Sequence, residues 1–74
     1  MNARWQRAQL QSTTLARAEY NPQAEQLVLH FHDGSRYVYS GVLSRLFTDL
    51  LLAPSQGTFF NREIRNRYPY ARIT

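Results

Sequence analysis

One stretch constrains the chain more than any other: residues 26–40, QLVLHFHDGSRYVYS. Two apolar and aromatic runs flank Asp33-Gly34, and such a pair reads as a β-hairpin. Loop length decides which side chains share a face. A two-residue loop at Asp33-Gly34 sets Leu29 opposite Val38 and sends Tyr37 and Tyr39 to the face of His30. A three-residue loop, His32-Asp33-Gly34 with glycine in the left-handed region, sets Leu29 opposite Tyr37 and Leu27 opposite Tyr39. Only the second gathers Leu27, Leu29, Phe31, Tyr37 and Tyr39 on one face. A one-residue slip exchanges the faces of a strand, so burial selects this register. The other face then carries His30, His32, Arg36, Val38 and Ser40.

The flanking segments extend this unit. Residues 13–20, TTLARAEY, suit a first strand, and Asn21-Pro22 marks the turn that follows. Residues 43–53, LSRLFTDLLLA, read as an amphipathic helix. Leu43, Leu46, Phe47 and Leu50 line its apolar stripe, and Leu51 sits at the margin. Leu52 falls among the polar residues and is expected at the surface. Pro54 ends that helix. Ser55 can cap a second one over 56–66, with Phe60 and Ile64 buried and Asn61, Arg62, Arg65 and Asn66 on the far side. Pro69 stops any continuation into the tail. Residues 1–12 are polar and Gln-rich, with Trp5 and Leu10 the large apolar residues, and read as a flexible arm or weak helix. The order predicts an α+β domain over 13–74: a three-stranded antiparallel meander with two helices packed on one face.

Size and charge bound the function. A chain of 74 residues holds at most one domain and has little room for a deep catalytic cavity. It has no Cys, so neither disulfides nor thiolate metal sites are available. All nine basic residues are Arg, set against five acids, for a net charge of +4. That balance favours an anionic partner, nucleic acid or an acidic protein. The first 15 residues hold no apolar run of signal-peptide length, and no segment approaches a membrane span, so the expected compartment is the cytoplasm.

Three motifs, in order, resemble the KTSC family, a small domain named for its place at the C-terminus of some lysyl-tRNA synthetases. The similarity covers residues 12–73. Its marks are Tyr37-x-Tyr39, then Gly57, Phe59, Phe60, Asn61, Ile64 and Arg65, then Tyr68, Tyr70 and Arg72. Two positions depart from the pattern. Leu43 stands where the family usually has Pro, and Phe47 where it has Tyr. The synthetase link implies an RNA partner.

Candidate chemistry is sparse. His30-x-His32 followed by Asp33 supplies two or three metal ligands, but no third His completes a set, and solvated strand histidines are the simpler reading. Asp49 and Glu63 have no nucleophile paired with them in a cleft. No catalysis, metal or cofactor is expected. Tyr37 and Tyr39 read as core, their hydroxyls needing a partner such as Asn61 or Arg65. The C-terminal segment carries the functional signal. Arg62, Arg65, Arg67 and Arg72 interleave with Tyr68 and Tyr70, and guanidinium groups bind phosphate and stack on bases. The same residues also suit a structural role, Arg62 and Arg65 complementing a helix C-terminus and pairing with Glu63. The leading expectation is a non-catalytic nucleic-acid-binding module, RNA before DNA. The alternative is a protein-binding adaptor, homo-oligomeric in one version, using Leu52 or the outer strand face.

Overall fold

The computed structural model describes residues 4–74. The hairpin of residues 26–40 forms with the three-residue loop. Strands β3 (Gln26–Phe31) and β4 (Arg36–Ser40) pair antiparallel, with Leu27 opposite Tyr39 and Leu29 opposite Tyr37. Gly34 sits at φ +93°, a conformation an L side chain rarely adopts, and its N–H donates to the Phe31 carbonyl at 3.0 Å.

The sheet has five strands rather than the three the sequence suggests. β1 (Gln6–Gln9) pairs with β2 (Leu15–Asn21), and β5 (Tyr70–Arg72) pairs with β4, giving the order β1-β2-β3-β4-β5, antiparallel throughout. β1 takes up part of the expected N-terminal arm, whose residues 1–3 lie outside the described residues. Both added strands lie at edges and carry mostly exposed side chains, so backbone hydrogen bonds rather than an apolar stripe recruit them. The predicted turn at Asn21-Pro22 is built by the Asn21 side chain, whose Oδ1 accepts from the N–H groups of Gln23 and Ala24.

Helix α1 (Ser44–Leu52) buries Phe47 and Leu50. Leu43, expected on the buried stripe, instead precedes the helix in an extended conformation and is 61% exposed. Leu52 is 76% exposed, as its place among polar residues predicts. Ser55 caps α2 (Gln56–Phe59), its Oγ accepting from the Thr58 N–H at 3.3 Å. The predicted second helix is not uniform. It widens into a π-helical turn over Phe60–Ile64, closed by the Arg65 N–H donating to the Phe60 carbonyl at 2.9 Å, and Arg65 itself is extended.

Both helical segments pack on the inner face of the sheet. Tyr20 stacks on Phe47 with ring centres 5.1 Å apart, and its hydroxyl donates to the Val42 carbonyl at 2.5 Å. Phe60 meets Phe31 and Tyr39 edge to face, at 5.5 and 5.9 Å. Leu15, Leu27, Leu29, Leu50, Val42 and Ile64 complete the fully buried interior. Among the described residues no helix is long and apolar enough to cross a membrane.

Candidate binding site

Phe47 of α1 packs on Tyr20 of β2, and Phe60 of the π-helical turn packs on Phe31 of β3 and Tyr39 of β4. Beyond that turn, over β4 and β5, the inner face opens into a cavity of about 490 Å³. Antiparallel pairing sets Tyr70 opposite Tyr39 and Arg72 opposite Tyr37, so these four side chains share the inner face. The Tyr70 ring lies 5.9 Å from both Tyr37 and Tyr39, tilted by 54° and 36°. The Arg72 guanidinium stands 5.9 Å from the centre of the Tyr37 ring.

The π-helical turn supplies the opposite wall. Phe60 closes the floor, while Asn61 and Arg65 face the cavity, with an Arg65 guanidinium N–H donating to Asn61 Oδ1 at 3.4 Å. Ending the helix at Ile64 with extended Arg65 turns that residue back towards the sheet, and Asn66 follows in the left-handed conformation at φ +63°. The β3-β4 hairpin provides the rim through Asp33 and Ser35. The Ser35 hydroxyl donates to Asp33 Oδ1 at 2.6 Å and its N–H at 2.9 Å, and these bonds hold the Asp33 carboxyl below its ordinary range, with Arg72 assisting.

Tyr39 joins the core to the cavity. Its ring is buried, at 4% exposed, yet its hydroxyl makes no hydrogen bond among the described residues, neither with Asn61 nor with Arg65. Burial pushes its ionisation up to about 12, with Tyr37 and Tyr70 adding to the rise and Arg65 opposing it. An uncharged donor therefore stands at the base of an aromatic cleft with a guanidinium nearby. Tyr37, read from the sequence as core, is half-buried and forms a wall of the cleft.

The residues singled out in the C-terminal segment separate. Arg65 and Tyr70 come together at the cavity with Tyr37 and Tyr39, and Arg72 stands beside the Tyr37 ring without lining the cavity itself. Arg62 does not join them. Its Nε donates to Glu63 at 3.1 Å, and it lines a shallower groove with Asp49, Leu52, Pro54 and Phe59. Tyr68 is half-buried and packs on the core, and Arg67 is exposed away from the lining. The two histidines also diverge. His30 Nε2 lies 3.1 Å from Glu19, and His32 Nε2 lies 2.9 Å from the Ser12 carbonyl. No group of three metal-ligating side chains gathers among the described residues.

A five-stranded antiparallel meander packed against a helix and a π-widened second helix, with Tyr37, Tyr39, Tyr70, Asn61 and Arg65 lining one cleft, is the architecture of this KTSC domain. The model of that family matches residues 11–68, and the chain belongs to it. A protein from Tsukamurella paurometabola is 36% identical over 59 residues, which cover 80% of this chain and 88% of that one. The crystal structure of a KTSC domain protein from Yersinia pestis superposes with a TM-score of 0.88 at 28% identity, covering 96% of this chain and all of the other. The family motifs therefore supply both the core contacts of Phe60 and Ile64 and the lining of the cleft.

Proposed function

We propose that this KTSC domain is a non-catalytic module that binds single-stranded RNA at the tyrosine-lined cleft. The observation that carries the reading is the convergence of Tyr37, Tyr39 and Tyr70 with Arg65 and Asn61 around one open cavity of about 490 Å³, with Arg72 beside the Tyr37 wall. An unstacked base stacks on a tyrosine face, and such stacking is worth about 1–3 kcal/mol per base. Arg65 and Arg72 supply phosphate contacts, and Asn61 and the Tyr39 hydroxyl supply donors to a base edge or a 2′-hydroxyl. A duplex keeps its bases paired and does not fit so small a cleft. The site thus favours loops, ends and unpaired strands.

The net charge of +4 supports an anionic partner, and the domain's place in some lysyl-tRNA synthetases implies RNA before DNA. The test is a titration of labelled single-stranded and duplex RNA at low salt. Saturable binding of the single strand, weakened by Arg65→Ala, supports the reading. Equal binding of the duplex, or none of either at about 100 µM protein, removes it.

A second reading rests on a different observation. The groove beside α1 presents Leu52, 76% exposed, together with Pro54 and Phe59. Such a patch suits a protein partner, as an adaptor requires. Sedimentation at two concentrations tests the self-associating version, which predicts a mass that rises with concentration and falls back in Leu52→Ser.

A further inference from the structure

The outer face of the sheet, opposite the cleft, carries a charge pattern that the register makes explicit. Arg17 on β2 lies directly opposite His30 on β3, and His30 lies directly opposite Arg36 on β4. These three form a row perpendicular to the strands. Neighbouring strands are about 4.8 Å apart, so the two arginines stand about 10 Å from one another across β3. Like charges along such a row oppose folding, and an uncovered sheet face does not need them.

Neither arginine has an acidic partner among the described residues. The acid on this face, Glu19, is already engaged by Arg7 at 2.9 Å and by His30 at 3.1 Å. Three arginines thus face one glutamate, and both helical segments lie on the other side of the sheet. Arg17 is exposed and Arg36 half-buried, with Val28 and Val38 forming the adjacent row.

Connectivity joins this row to the cleft. Arg36 directly precedes Tyr37, so one step along β4 passes from the outer row to the wall of the cavity. β5 is the edge strand of the sheet and is only three residues long, with the Ile73 N–H donating to the Arg36 carbonyl at 2.7 Å. We propose that a bound RNA single strand leaves the cleft past Arg72, crosses the short β5 edge, and lays its phosphates along Arg36 and Arg17 on the outer face. This rests on the cleft being the primary RNA site. It assigns the outer face a specific occupant, the phosphate backbone of the same strand, chosen by charge complementarity and by continuity with the cleft.

Length separates the two contributions. Oligouridylates of about 4 and about 12 nucleotides bracket the cleft alone and the cleft plus the outer row. The long strand should bind the native protein about tenfold more tightly than the short one. In the double variant Arg17→Gln with Arg36→Gln, affinity for the long strand should fall about tenfold while that for the short strand is unchanged. Its salt slope should decrease by about 1.4, two phosphate contacts at about 0.7 each. Arg17→Lys with Arg36→Lys should retain most of the length effect, and melting curves of both variants check the fold. The single variant Arg17→Gln, at an exposed position, gives a smaller loss on the long strand if the double variant melts early. An undiminished affinity of the variants for the long strand overturns the proposal, as does an equal loss on both lengths. Failure of the short strand to bind the native protein instead removes the cleft reading, a result recognisable before any outer-face variant is made.

Discussion

The Arg72 guanidinium lies 5.9 Å from the centre of the Tyr37 ring, on the inner face of the sheet. The pairing of β5 with β4 creates this relationship, because Arg72 and Tyr37 are direct cross-strand partners. The arginine is thereby held beside an aromatic wall, its Nε donating to the Thr74 carbonyl at 2.8 Å. Arg72→Ala should leave the melting temperature within a few degrees of the parent and weaken single-stranded RNA binding several-fold. Arg72→Lys keeps the charge but loses the planar fork, so it should recover only part of the affinity.

Tyr39 is the position where stability and binding are easiest to confuse. Its ring is 4% exposed and packs against Phe60 and Tyr70. Truncation of a buried aromatic costs about 3–5 kcal/mol, against a total stability of about 5 kcal/mol for a domain of this size. Tyr39→Ala should therefore be largely unfolded at room temperature by circular dichroism. Tyr39→Phe keeps the packing and removes a hydroxyl that has no hydrogen-bond partner among the described residues, so it should melt within about 0.5 kcal/mol of the parent.

The same residue sets an alkaline limit. The Tyr39 ionisation is raised to about 12 from an ordinary 10. A raised folded value means that stability is intact below about pH 10 and is lost as pH climbs towards 12, by roughly 2–3 kcal/mol in all. Phenolate absorbance should show a late-ionising tyrosine that Tyr39→Phe removes, and the same variant should flatten the alkaline loss of melting temperature. At the acid end Glu19 behaves in the opposite sense. Its bond to His30, with Arg7 assisting, holds its carboxyl below the ordinary 4.5, so its contribution is present above about 4.5 and disappears as pH falls further. Glu19→Gln should flatten the acid limb of the melting curve.

Leu43 offers a stabilising change. It stands where the family usually has Pro, and its backbone is already at φ −75°. Its N–H donates to no backbone carbonyl among the described residues. Leu43→Pro should therefore raise stability by about 0.4–1 kcal/mol by restricting the unfolded chain, seen as a melting temperature a few degrees higher.

The hairpin register was legible because both of its faces have a distinct character. Leu27, Leu29, Tyr37 and Tyr39 require the interior, and only one loop length puts them together. β1 was not legible because Gln6, Arg7 and Gln9 are exposed and Ala8 is small, leaving no alternation to read. β5 follows a proline and has three exposed residues, so only its backbone pairing with β4 reveals it. The cleft was half legible. Helical spacing grouped Arg62 with Arg65, but the helix widens at Phe60 and stops at Ile64, and an extended residue no longer obeys that spacing. Arg65 turns to the sheet while Arg62 stays beside Glu63. Alternation places Tyr37 on the buried face, and it does pack against the core, but it is only half-buried because it also lines the open cleft.

The central claim is that RNA enters the cleft between β4, β5 and the π-helical turn. Amide and aromatic chemical-shift mapping during titration with a short oligouridylate tests it most directly. The account predicts shifts concentrated at Tyr37, Tyr39, Asn61, Arg65, Tyr70 and Arg72, with Arg62, Leu52 and Asp49 unmoved. Shifts centred on the Leu52 groove, or a spectrum unchanged at saturating RNA, would contradict it.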